Sequence, residues 1–155
     1  MYSKTFFASW GDMDFNSHMA GPAFLYKCFD VRLMFFVENG FPMSEFVRLK
    51  LGPVSMKDDL EYFREVGLLQ EITVNASVKG MSIDGSRWLI RQDVLSAEGK
   101  LCARLTSAGG WTGGWMDLAA RKLIAPPEKL LTVFKSIIDP GDFTELPSSI
   151  KVATA

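Results

Sequence analysis

Histidine and cysteine, the side chains that most often build transition-metal and redox sites, are scarce in this sequence. Among 155 residues there are one histidine, His18, and two cysteines, Cys28 and Cys102. The cysteines lie in apolar surroundings without metal-ligand spacing, which predicts reduced core thiols in an intracellular, cytoplasmic protein. Because no second histidine can complete the common transition-metal ligand sets, the sequence predicts no metal site.

An excess of charge of one sign and long apolar runs are also lacking. The formal net charge is −1, and lysine and arginine are scattered, so no nucleic-acid partner is expected. Charged residues interrupt every apolar run well before the roughly 18 residues of a membrane-spanning helix, so no membrane partner is expected. The first residues, MYSKTFFASWGD, lack a long apolar region followed by a small-residue cleavage site, which predicts no signal peptide.

The longest apolar segment, residues 23–39 (AFLYKCFDVRLMFFVEN), has the length of a helix and is apolar on nearly every face. Such a pattern is typical of a buried helix. Pro22 suits its first turn, and Asn39-Gly40 supplies a stop signal. A second short helix, or a turn, is expected at 43–48.

Outside this helix the hydrophobic period is two, which predicts half-buried antiparallel strands. The predicted strands are 3–10, 53–56, 59–66, 72–78, 88–94 and 101–105, with turn signals at 84–85 and 98–99. The glycine-rich stretch 107–117 (SAGGWTGGWMD) predicts a bulge, with Trp111 and Trp115 as packing residues. Pro126-Pro127 opens a last helix, 128–138, and a polar tail covers 139–155.

This order, one strand, one long helix and then four or five antiparallel strands, predicts an α+β fold. A sheet of five or six antiparallel strands wrapped around one very apolar helix is the hotdog fold. We expect a single domain over residues 1–155, with its core at about 3–138. Because the fold leaves long edge strands that dimerisation normally buries, a homodimer or a dimer-of-dimers tetramer is expected.

Polar chemistry is densest in WGDMDFNSHMAG, residues 10–21. This segment holds two aspartates, one asparagine and the only histidine: Asp12, Asp14, Asn16 and His18. The spacing of the first three matches the start of an EF-hand calcium loop, but Ser17 and Ala23 stand where that loop needs glycine and a bidentate glutamate. Turn and N-cap hydrogen bonds account for Asp12, Asn16 and Ser17 individually.

Asp14 and His18, just before an apolar helix, indicate catalysis rather than metal binding. The free N–H groups of a helix N-terminus can polarise a carbonyl oxygen, while Asp14 acts on the carbonyl carbon directly or through a water molecule. The N–H groups near Ala20 and Gly21 would hold the oxyanion, and the glycine lets a substrate approach the backbone closely. The segment therefore has the outline of an acyl-transfer site.

These residues resemble the beginning of the 4-hydroxybenzoyl-CoA thioesterase-like acyl-CoA hydrolases, whose pattern runs roughly W-G-D-x-D-x-x-x-H-x-N-N, followed by a helix carrying E-A-R. Here the motif is WGDMDFNSHM, and Asp30-Val31-Arg32 lies in the helix. The segments LEYFREV, GSRWLIRQDVL and WMDLAARKLIAPPEKL resemble later parts of the family in the same order, the last being its closing strand and proline-led helix. The resemblance covers about residues 5–133.

The resemblance implies thioester hydrolysis in a hotdog fold, with Asp14 as the catalytic carboxylate, either nucleophile or general base. His18 corresponds to the motif histidine near the thioester, and the backbone of Met19, Ala20 and Gly21 to the segment that polarises its carbonyl. The family's active site lies at a dimer interface. Coenzyme A is then part of the substrate, and no separate cofactor is implied. Ala20 and Gly21 stand where the family has two asparagines.

An apolar acyl or aryl group is the expected substrate, with Phe24 on the buried helix as a pocket residue. Arg64, Lys79 and Arg87 are candidates for the coenzyme A phosphates, because arginine and lysine suit such anions. Solvated strand faces explain these three cations equally well.

Two other functions remain open from the sequence. Hotdog hydratases and dehydratases show an Asp and a His separated by four residues around an Asn-Pro pair, whereas three residues without proline separate Asp14 from His18. A non-catalytic acyl-thioester binding protein would explain the missing asparagines and the lack of a second acid.

Overall fold

The computed structural model describes residues 1–113 and 123–148. Within them lie three α-helices, one short 3-10 helix at Trp10–Asp12 and six strands. In chain order the α-helices and strands are β1 Tyr2–Phe7, α1 Gly21–Glu38, α2 Met43–Leu49, β2 Leu51–Tyr62, β3 Glu71–Ser82, β4 Arg87–Ser96, β5 Leu101–Gly113, α3 Glu128–Lys135 and β6 Thr144–Leu146. No helix in this described part of the chain is long and apolar enough to cross a membrane.

One six-stranded sheet organises the fold. Five strands follow the order β1-β3-β4-β5-β2, and every neighbouring pair is antiparallel. The remaining strand, β6, pairs with the end of β3 in parallel. Helix α1 packs its buried face against this sheet, which confirms the predicted α+β hotdog architecture.

Helix α1 begins two residues before the predicted start, because Gly21 already joins its first turn with Pro22. It ends at Glu38, where Asn39 caps it: its side-chain Nδ2 donates to the Phe35 carbonyl at 2.7 Å. The prediction that this helix is buried holds for one side of α1 only. In the single chain the opposite side stays exposed; its large apolar residues include Tyr26, Leu33 and Val37.

Strand β2 is one continuous strand where two pieces, 53–56 and 59–66, were predicted. Its register with β5 shifts between Ser55 and Lys57, so the bulge predicted for the glycine-rich segment falls on the neighbouring strand. The charged residues that follow the bulge interrupt the apolar alternation, which is tolerated because β2 is an edge strand exposed on much of both faces. Residues 114–122, with Trp115 and most of the family's closing strand, lie outside the described residues.

An aromatic cluster fills the core beside the C-terminal half of α1. Its rings lie 4.6 to 6.5 Å from one another between centroids, in edge-on, tilted and stacked pairs. The members are Phe36, Phe41, Phe46, Trp88, Trp111 and Phe134. All are almost fully buried, so the predicted packing role of Trp111 is confirmed.

The predicted polar tail contains strand β6, at 144–146. Ion pairs and hydrogen bonds anchor this segment to the sheet: Asp139 pairs with Lys79 at 2.5 Å, and the Pro147 carbonyl accepts from Arg87 at 3.2 Å. β6 has only three residues and contributes only backbone pairing, so it has no hydrophobic period from which the sequence could predict a strand.

Asp84, in the turn between β3 and β4, also binds the C-terminal segment that contains β6. Partial burial by itself raises the pKa of Asp84, but hydrogen bonds from Ser148, Ser86 and Ser82 outweigh it and hold the pKa well below its ordinary value. Ser148 Oγ donates to Asp84 Oδ2 at 2.5 Å. A carboxylate with a lowered pKa stabilises the fold above the unfolded-state pKa of about 4, and this contribution is lost as the pH falls through the folded-state pKa.

The substitution Asp84→Asn is therefore expected to lower the free energy of unfolding at pH 7 by about 1–2 kcal/mol. Urea denaturation at several pH values would measure it, and the difference from the parent should shrink below about pH 4. Asp59→Asn serves as the control, since Asp59 makes no side-chain hydrogen bond with the described residues. A difference that is independent of pH would contradict the assignment.

Candidate active site

Asp14 lies in a tight loop that joins β1 to α1. Its Oδ1 accepts the backbone N–H groups of Asn16 at 2.8 Å and His18 at 3.1 Å. The Asp14 N–H donates back to the His18 carbonyl at 2.7 Å, and Ser17 adopts the left-handed conformation that closes the turn. One carboxylate oxygen is thereby fixed, while Oδ2 accepts no hydrogen bond from the described residues.

Asp12, in the same loop, has a structural role. Its Oδ2 accepts both the backbone N–H and the hydroxyl of Ser9 at 2.8 Å, and Lys27 Nζ lies 3.5 Å away. Partial burial alone raises the pKa of Asp12, but these contacts outweigh it and lower the pKa. The predicted turn-holding role of Asp12 is confirmed, whereas Asn16 contributes to the turn through its backbone.

The start of α1 lies beside Asp14 and has no side-chain cap, because Ala20 is its N-cap residue. The Met19 N–H donates to the Val66 carbonyl at 2.7 Å, and the Ala20 N–H to the Asp12 carbonyl at 2.8 Å. The Gly21 N–H finds no acceptor among the described residues. Of the three backbone groups predicted to polarise a carbonyl, Gly21 is thus the one that is available.

Tyr62, at the end of β2, covers this helix start. A Cβ atom on Gly21 would lie only 2.5 Å from the Tyr62 hydroxyl, so the absence of a side chain there lets the phenol approach. The Tyr62 ring also meets Phe24 edge-on, at 5.6 Å between centroids. Nothing in the residue types at 62 marked this role; only the fold brings β2 to the beginning of α1.

Glu65 is a second residue that the sequence analysis did not single out. Its Oε2 lies 3.1 Å from His18 Nε2, and the backbones of His18 and Gly67 form an isolated bridge. A carboxylate on one ring nitrogen orients an imidazole. The contact therefore gives His18 a defined orientation beside the loop.

These residues line one cleft of about 490 Å³. Its walls come from the loop, the first turn of α1 and the end of β2 with the residues that follow. They are Asp14, Asn16, His18, Met19, Gly21, Phe24, Tyr62, Phe63, Arg64 and Glu65. Six of the predicted site residues meet here, and Ala20 lies between two of them as the N-cap.

Lys79 and Arg87 are not brought to this cleft within one chain. Lys79 pairs with Asp139 and lies 3.6 Å from Asp142, and Arg87 contacts the carbonyl of Pro147. Both cations thus anchor the C-terminal segment. Arg64, the third predicted phosphate contact, lies in the wall of the cleft.

The fold and the cleft together define a hotdog protein that places a carboxylate beside the open start of its central helix. The profile of the thioesterase-like superfamily matches residues 8–134. The chain therefore belongs to the thioesterase-like superfamily, which confirms the predicted resemblance and the class of thioester hydrolases. No curated relative matches the chain by sequence alone.

Solved structures with the same fold have low sequence identity to this chain. A Staphylococcus aureus protein in complex with CoA has a TM-score of 0.77 at 17% identity, covering 99% of this chain and 95% of that one. The 1,4-dihydroxy-2-naphthoyl-CoA thioesterase from Synechocystis has a TM-score of 0.76 at 14% identity, covering 88% and 96%. A gentisyl-coenzyme A thioesterase has a TM-score of 0.69 at 16% identity, covering 86% and 98%.

Proposed function

We propose that this protein is an acyl-CoA thioesterase that hydrolyses the thioester of an apolar acyl- or aryl-CoA. The observation that carries the proposal is the pairing of two available groups in one cleft. Among the described residues, Asp14 Oδ2 accepts no hydrogen bond, and the Gly21 N–H at the start of α1 has no acceptor. One group can act on a thioester carbonyl carbon while the other stabilises the charge that develops on its oxygen.

Two routes use this arrangement. As a general base, Asp14 takes a proton from a water molecule whose oxygen attacks the carbonyl carbon. As a nucleophile, Asp14 attacks that carbon itself and forms an anhydride that water then hydrolyses. In both routes the carbon–sulfur bond breaks, the thiolate of coenzyme A leaves and takes up a proton, and a free carboxylic acid remains. The Gly21 N–H donates to the oxyanion in either case.

The cleft also suggests how the rest of the substrate is held. Arg64 provides a cation for the phosphates of coenzyme A, and Phe24 and Tyr62 provide an apolar surface beside the reacting carbon. The Tyr62 hydroxyl occupies the space beside Gly21 that a side chain at this position, such as the family's asparagine, would need. Coenzyme A belongs to the substrate, and the proposal needs no other cofactor.

A homodimer or larger homo-oligomer is part of the proposal. β2 is a twelve-residue edge strand that is exposed over most of its length, and Tyr26, Leu33 and Val37 expose apolar surface on α1. Association would cover both features. Light scattering on the purified protein would measure the mass, and a monomer would contradict this part.

The cytoplasmic location remains a prediction, and Cys28 and Cys102 are buried free thiols.

A thiol-release assay tests the function, using benzoyl-, phenylacetyl-, hexanoyl- and palmitoyl-CoA with a thiol-reactive dye. A thioesterase releases coenzyme A from at least one of them. A hydratase would instead hydrate crotonyl-CoA, lowering the enoyl absorbance while the thioester stays intact, and a binding protein would show heat of binding without either change. Either of the last two outcomes would overturn the proposal.

A further inference from the structure

A second cavity, of about 220 Å³, lies between the C-terminal half of α1 and the sheet. Five aromatic rings and one arginine form most of its wall: Phe29, Phe36, Trp88, Trp111, Phe134 and Arg32. It shares no lining residue with the cleft around Asp14. Cavities of about 150 Å³ are large enough to take up benzene, so a substituted ring fits this volume.

The two tryptophans of this cavity hold hydrogen-bond donors without acceptors. Trp88 and Trp111 are 2% and 1% exposed, and the indole Nε1 of each finds no acceptor in the part of the chain that the structure describes. Buried indole N–H groups normally have partners, because an unsatisfied buried donor costs about 1–3 kcal/mol. Neither nitrogen is accessible from the cavity, so the two tryptophans contribute apolar ring surface to its wall.

Arg32 adds N–H donors and a positive charge. Its Nε donates to Gln92 Oε1 at 2.6 Å and its Nη2 to Ser107 Oγ at 2.5 Å. A guanidinium has five N–H groups, so three have no acceptor among the described residues. Its carbon lies 5.0 Å from the centre of the Phe29 ring, and burial lowers the pKa of Arg32.

No carboxylate within the described residues forms a direct ion pair with Arg32. Asp58 reaches it only through the Ser107 hydroxyl, which donates to Asp58 Oδ1 at 2.5 Å. The neutral partner Gln92 is itself held by the Cys28 carbonyl, which accepts from Gln92 Nε2 at 2.8 Å. The cavity therefore combines aromatic walls with a half-buried cation, three of whose N–H groups have no acceptor among the described residues, and its complement is an anion with an apolar body.

We propose that this cavity binds a small carboxylic acid with an aromatic or compact apolar body. The carboxylate accepts hydrogen bonds from the Arg32 guanidinium, and the body packs against the aromatic rings of the wall. Two sources share this chemistry: a free acid, or the far end of an acyl-CoA whose acyl group carries a second carboxylate. The site does not depend on thioester hydrolysis.

Calorimetric titration with benzoate and its neutral analogue benzamide tests the proposal on the unmodified protein. Benzoate is expected to bind about tenfold or more tightly, because only it supplies a charge to Arg32. Arg32→Lys keeps the charge but loses the planar fork, and it should weaken benzoate binding severalfold. Equal binding of benzoate and benzamide, or no binding of either, would overturn the proposal.

A second experiment uses the Asp14→Asn variant to distinguish the two ligand sources. Because this variant is expected to hydrolyse acyl-CoA only slowly, the result does not depend on the proposed hydrolysis. Benzoate should bind this variant as it binds the parent, since Asp14 lies outside the cavity. If benzoate displaces glutaryl-CoA but not pentanoyl-CoA, the site holds the far carboxylate of an acyl group. If it displaces neither, the site takes a free acid. Benzoate binding that Arg32→Lys leaves unchanged would place the ligand elsewhere and contradict the assignment.

Discussion

Replacing Asp14 with asparagine is expected to lower kcat for thioester hydrolysis by about 10²–10⁴-fold, the usual contribution of a positioned acid–base group. The substitution is nearly isosteric, and an asparagine Oδ1 can still accept the N–H groups of Asn16 and His18 that fix the loop. The loss would therefore come from the charge on the second oxygen and not from the fold. Thiol release from the best substrate of the acyl-CoA panel measures it.

Asp12→Asn is the matched control, because it removes a negative charge two residues away in the same loop. Asp12 is bound to Ser9 and faces Lys27, and it does not line the cleft. We expect its kcat to stay within about threefold of the parent, with a small loss of thermal stability as its contacts weaken. If Asp14→Asn cleaves as fast as the parent, or if both variants lose activity equally, Asp14 is not the catalytic carboxylate.

The sequence was sufficient for those features that local chemistry determines. The apolar run at 23–39 predicted α1 to within two residues at its start, and the alternation after residue 70 predicted β3, β4 and β5. A carboxylate just before a helix start is also a local arrangement, so the sequence could single out Asp14 as a candidate, whose catalytic role stays a prediction. The arrangement of Asp12 is local too, because its Ser9 contacts lie within one turn of backbone.

Features that depend on distant parts of the chain could not be predicted in this way. Tyr62 and Glu65 reach Gly21 and His18 only because β2 and the residues after it fold back onto the loop. Lys79 had the right charge for a phosphate contact, but its partner Asp139 comes from the C-terminal segment. Residue type predicts which chemistry a side chain can do, and the long-range packing decides which partner it meets.

The glycine-rich part of β5 also depends on distant parts of the chain. Gly109 faces the backbone of β2 and the Trp88 ring, and no local sequence pattern predicts either neighbour. A Cβ atom on Gly109 would lie 2.1 Å from the Val54 carbonyl oxygen and 2.6 Å from the Trp88 ring. Backbone on the paired strand β2 can retreat only by breaking the register beside the bulge, and Trp88 is held within the aromatic cluster. Glycine is thus required here for space.

Gly109→Ala is accordingly expected to lower the free energy of unfolding by about 3 kcal/mol or more, as overpacking against rigid neighbours does. Urea denaturation followed by the fluorescence of the four tryptophans, which include Trp88, measures the loss. Gly11→Ala is the control, since a Cβ there meets nothing within 4 Å, and it should change stability by less than about 1 kcal/mol. A Gly109→Ala protein as stable as the Gly11→Ala protein would show that β2 and Trp88 can move apart. The spacing between β2 and β5 would then be adjustable beside Trp88. The 220 Å³ cavity that Trp88 lines could not keep a fixed shape around a bound ring.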